Sequence, residues 1–172
     1  MDYVLVACRL CLGLVFLASV FGKLRARENF AEFVRATGEL APPLPKKPAA
    51  MAVVAAEVAV PALLCSPWAT TGFLVAAGLL LAFTIAVVTA IVRGRQVRCQ
   101  CFGNSSAPVS WFQVARNALL FFVAAAGLLA GVYAPGGPLE IGGVLVALAA
   151  GAVAGSVALL TDEIAVLFEP IR

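Results

Sequence analysis

The run TTGFLVAAGLLLAFTIAVVTAIV, residues 70–92, holds no charged side chain and is bounded by Trp68 before it and Arg93 after it. A helix crosses the hydrocarbon core of a bilayer with about 20 apolar residues at about 1.5 Å per residue. A run of this length is therefore read as a transmembrane helix. Four further runs can be read the same way, at residues 3–22, 49–66, 110–131 and 139–160.

The composition agrees. The chain of 172 residues is 63% hydrophobic and only 12% charged, against about 45–50% and about 25% in soluble domains. The expected fold is all-α: one integral membrane domain over residues 1–172, a polytopic bundle of four to five spans. The connection at residues 27–48 adds a short interfacial helix, because Phe30, Phe33 and Val34 recur at helical spacing among Glu28, Glu32 and Arg35. The Pro42-Pro43-Leu44-Pro45 run then stops it.

The basic residues set the expected orientation. Lys23, Arg25, Arg27, Arg35, Lys46 and Lys47 lie in the first connection and Arg93, Arg95 and Arg98 in the third, while the second and fourth hold none. The positive-inside rule then puts the N-terminus outside and the basic loops in the cytoplasm of a bacterial cell membrane. Asp2 stands where a cleavable signal peptide would carry basic residues, so the first run is read as an uncleaved span. The net charge of +3 points to no nucleic-acid partner.

No histidine is present, which removes the commonest general base and metal ligand together. Thiol chemistry remains open, with five cysteines. Cys99 and Cys101 follow Arg93, Arg95 and Arg98 in the polar connection after the third run. Fixed positive charge favours the thiolate, the form that attacks disulfides, and a disulfide between residues two apart is strained and easily reduced. A metal corner is disfavoured, because no second ligand pair is near.

Cys8 and Cys11 form a second pair, on one face of a helix and about 10–15 Å below the outer surface by helical rise. Buried packing is the competing reading for them, and it is also the simplest one for Cys65. Arg9, Glu57 and Arg116 are charges inside spans, each of which needs a partner or a purpose. By depth, Glu57 is the candidate partner of Arg9, and Arg116 lies nearer the inner face with Asn117 beside it. Gly151 and Gly155 form a small-xxx-small pair expected to face lipid.

The stretches GLVFLASVFGKL (13–24), AEVAVPALL (56–64), RCQCFG (98–103) and RNALL (116–120), in this order, resemble the MauE branch of the MauE/DoxX-like membrane proteins. The resemblance implies a multi-pass protein linked to methylamine utilisation. It implies work with a thioredoxin-like, MauD-like partner on the disulfide-rich small subunit of methylamine dehydrogenase, outside the cytoplasm.

The function expected from residues and resemblance together is a membrane thiol–disulfide relay. Cys99 and Cys101 exchange with the partner, Cys8 and Cys11 pass equivalents on, and Arg98, Arg9, Glu57 and Arg116 support them. A quinone-linked oxidase is equally compatible with these cysteines. The alternative is a non-enzymatic membrane anchor or assembly subunit in which the thiols are dispensable. The cytoplasmic placing of Cys99 and Cys101 and a client outside agree only if equivalents cross the bilayer, the loop folds back into it, or the orientation is reversed.

Overall fold

The computed structural model describes residues 1–40, 45–94, 111–133 and 140–168, with residues 40 and 161–168 described by backbone alone. Every element among them is a helix: α1 (Asp2–Leu24), α2 (Arg27–Leu40), α3 (Lys46–Leu64), α4 (Ala69–Val92), α5 (Trp111–Tyr133) and α6 (Ile141–Phe168). All but α2 contain a stretch long and apolar enough to cross a membrane, which in α6 is Ile141–Leu160. The polytopic helical bundle and the extra short helix are as expected.

The boundaries move for local reasons. α3 starts at Lys46, ahead of the expected residue 49, because Pro45 in extended conformation caps it and Pro48 falls in the first turn. There a missing N–H leaves no helical acceptor unpaired. Pro61 is also tolerated, one turn before the helix ends at Leu64. α4 ends where Gly94 takes φ +62° and donates its N–H to the Ile91 carbonyl, a left-handed conformation that glycine adopts without steric cost. α6 runs past residue 160 to Phe168.

Four helices close a ring. α1 packs on α3, α3 on α4, α4 on α5, and α5 returns to α1. Successive members reverse direction. A Cβ built on Gly131 would touch Leu5 and one on Gly127 would touch Cys8, so α5 climbs as α1 descends. The centre is apolar, with Leu12, Val15 and Phe16 of α1 meeting Val60, Leu64, Phe73, Leu80 and Leu120.

α6 lies on the outer side of α1 and parallel to it, since Gly151 faces Ala7 and Gly155 faces Cys11. This corrects the expectation that the two glycines face lipid. α2 packs across one end of the ring against α3, α1 and α4, with Phe33 buried against Ala50 and Val54. The ends of α1 and α4 and the starts of α3 and α5 lie at that same end.

Candidate functional site

The deepest polar arrangement sits beneath α2. Lys23, in the last turn of α1, is 1% exposed, and Glu57 of α3 and Ser19 of α1 are fully buried. The Lys23 Nζ donates to Glu57 Oε1 at 2.5 Å and to Ser19 Oγ, one helical turn back, at 2.7 Å. Ser19 Oγ in turn donates to Glu57 Oε1 at 3.1 Å. Two rings complete the cage: Nζ lies 4.8 Å from the centroid of Phe33 in α2 and 5.6 Å from that of Phe83 in α4. Four helices thus meet at one ammonium group. Glu57 Oε2 is buried and has no hydrogen-bond partner among the described residues.

This geometry corrects the pairing expected for Glu57. Ser19 and Lys23 stand ten and fourteen residues beyond Arg9 on α1, about 15 and about 21 Å along the axis at the helical rise. Glu57 therefore belongs to the half of the ring nearer α2, and Arg9 to the other half. Arg9 is partly buried, and its Nε has no hydrogen-bond partner among the described residues. By sequence Lys23 belongs with the cations of the first connection. Its flexible stem instead turns back along α1 and carries the charge one turn into the bundle. The signal for it in the sequence was Ser19, a small hydroxyl four residues earlier on the same helix face.

α5 contributes a second polar group near the same end of the ring. Gln113, Arg116 and Asn117 share one helix face, and all are buried, Asn117 to 1% exposure. The amide nitrogen and oxygen of Asn117 and the amide oxygen of Gln113 have no hydrogen-bond partner among the described residues. The same face continues toward the other end through Leu120, Ala124 and Gly127.

The cysteines divide. Cys8 and Cys11 are buried, at 8% and 3% exposure, and both thiols are free. Cys8 packs where α5 comes close at Gly127, beside Phe73, and the Cys11 backbone meets α6 at Gly155. Cys65 caps the end of α3, exposed and also free. Cys99, Cys101 and Arg98 lie outside the described residues. On either side of them, Arg93 caps α4 and Trp111 opens α5. Among the described residues no group of three or more cysteine or acidic side chains is placed to hold a metal.

A ring of alternating membrane helices, closed at one end by an amphipathic helix over a buried ion pair, defines a polytopic α-helical membrane protein. Its chain belongs to the MauE family: the family described as Methylamine utilisation protein MauE matches residues 1–130. That match takes in α1 to α4 and all but the last turn of α5, and stops before α6. The chain is similar to Methylamine utilization protein MauE of Paracoccus denitrificans, 37% identical over 160 residues, covering 91% of this chain and 82% of that protein. No solved structure matches.

Proposed function

We propose that the protein serves a MauE-like role in methylamine utilisation as a membrane thiol–disulfide relay. The observation that carries the reading is Cys99-Gln100-Cys101 directly after Arg98, with Arg93 and Arg95 close before. These cations favour the thiolate, and the small ring that a Cys99–Cys101 disulfide would close suits an exchanging pair. In the exchange one thiolate attacks a disulfide of a thioredoxin-like partner and forms a mixed disulfide, releasing one partner thiol. The second cysteine then displaces the other partner thiol. One dithiol is oxidised for each disulfide reduced, and no further oxidant enters. Arg98 is the nearest supporting cation, and the Cys8 and Cys11 dithiol then reduces the Cys99–Cys101 disulfide, itself becoming the disulfide that is passed onward. The basic residues support an N-terminus outside the cell and a cysteine connection on the cytoplasmic side of the membrane.

The test is to replace Cys101 with serine, which leaves Cys99 unable to resolve a mixed disulfide. A Cys99-linked adduct with a thioredoxin-like protein, dissolved by reductant and absent from the Cys99→Ser/Cys101→Ser variant, is the expected result. The relay is wrong if no such adduct forms with any partner.

One observation favours a second reading, a non-enzymatic assembly subunit. Cys8 and Cys11 are enclosed by α5 and α6, where cysteine commonly acts as a small hydrophobe. Full support of methylamine utilisation by a variant lacking all five thiols would select this reading over the relay.

A further inference from the structure

We infer that α2 is a latched cover on the ring, and that the Lys23 ammonium is the latch. α2 is joined to α1 by the Asn29 side-chain amide, which donates to the Gly22 carbonyl at 2.9 Å, and is seated on the ring by a small apolar face. Of its described side chains only Phe33 and Ala36 are buried, while Arg27, Glu28, Ala31, Glu32, Arg35 and Glu39 are exposed. Its apolar contact with the ring centres on Phe33 against Ala50 and Val54, with Phe30 and Val34 only partly buried.

The face of Phe33 lies over the one ammonium that α1 and α3 hold rigidly in place. A cation over a ring gains most when water is excluded, and here both side chains of the ion pair are fully buried. The attraction therefore exists only while α2 is seated, and seating α2 is what completes the exclusion of water. The two conditions support each other, which makes the docking close to all-or-none.

Release has a defined consequence. With α2 lifted, Lys23, Glu57, Ala50 and Val54 face the loop side of the ring, beside the end of α4 and the start of α5. Glu57 Oε2, which has no hydrogen-bond partner among the described residues, then gains access to water.

The experiment is hydrogen–deuterium exchange on the full-length protein in lipid nanodiscs, followed on peptides from α2. Lys23→Ala is expected to speed exchange in α2 by about tenfold, because local opening is no longer opposed by the buried cation. The side-chain atoms that this substitution removes beyond Cβ correspond to n-propylammonium. That ion, added in excess, is expected to restore the slow exchange, and n-propanol, its uncharged counterpart, is expected not to. Phe33→Leu leaves the ion pair intact and keeps an apolar side chain, so it should speed exchange in α2 while α1, α4 and α5 keep wild-type protection. Unchanged α2 exchange in Phe33→Leu would overturn the latch. So would equal rescue of Lys23→Ala by propanol and propylammonium, which would make the effect one of volume rather than charge.

Discussion

Replacing Glu57 with leucine is expected to destabilise the bundle by about 3–5 kcal/mol, the usual cost of breaking a buried pair and leaving the other charge uncompensated. The side chain left behind is Lys23, which cannot reach water from its 1% exposed position without displacing Phe33 and with it α2. Lys23→Met should cost a comparable amount by stranding the carboxylate. The double variant Lys23→Met/Glu57→Leu removes both charges and fills the space with apolar groups of similar size, so it should recover most of the loss. Denaturation of the four proteins in one detergent, read as a double-mutant cycle, checks this. Losses that simply add would mean that the two side chains do not stabilise each other. Ser19→Ala is a milder companion, since Lys23 keeps its carboxylate partner.

That pair also marks the boundary of what the sequence discloses. The spans are legible because lipid demands long apolar runs, and α2 is legible because Phe30, Phe33 and Val34 repeat at helical spacing amid charge. The partner of Glu57 is not legible from depth. Counting residues along a span places the Cα atom, but a lysine carries its charge several ångströms away and in either direction along the helix. By position Arg9 is the better match because it lies within its run, whereas Lys23 follows the apolar stretch and reads as a loop cation.

The glycines hid for a different reason. In a chain this rich in glycine and alanine, Gly151 and Gly155 do not stand out from small residues that face lipid. Only the register of α6 on α1 distinguishes them. Cys99 and Cys101, which carry the proposed chemistry, are legible because they follow three arginines in a polar connection between apolar runs. Cys8 and Cys11, legible as a pair on one helix face, prove to sit in the packed centre, where access to another protein's disulfide requires helices to part.

The α1–α6 contact yields the other large effect. A Cβ at Gly151 would stand 2.5 Å from the Ala7 carbonyl oxygen and 3.2 Å from its carbon and Cα. These are backbone atoms, held by the hydrogen bonds of α1, so no rotamer change relieves the clash and the helices must separate. Gly151→Leu is therefore expected to detach α6, at a cost at or above the about 1–3 kcal/mol usual for overpacking.

Gly155→Ala is the control, because its Cβ would meet nothing closer than 3.4 Å and should be accommodated. Since α3 and α4 close the ring with α1 and α5 through contacts that do not involve α6, the ring of α1, α3, α4 and α5 should stay folded when α6 leaves. The measurement is oxidative cross-linking of the pair Leu14→Cys/Gly155→Cys, since a Cβ at Gly155 would stand 3.5 Å from the Leu14 Cβ, within reach of a disulfide. Adding Gly151→Leu should abolish the cross-link. A cross-link that forms at the unchanged rate would show that α6 still seats on α1, and that the close approach at Gly151 does not hold the two helices together.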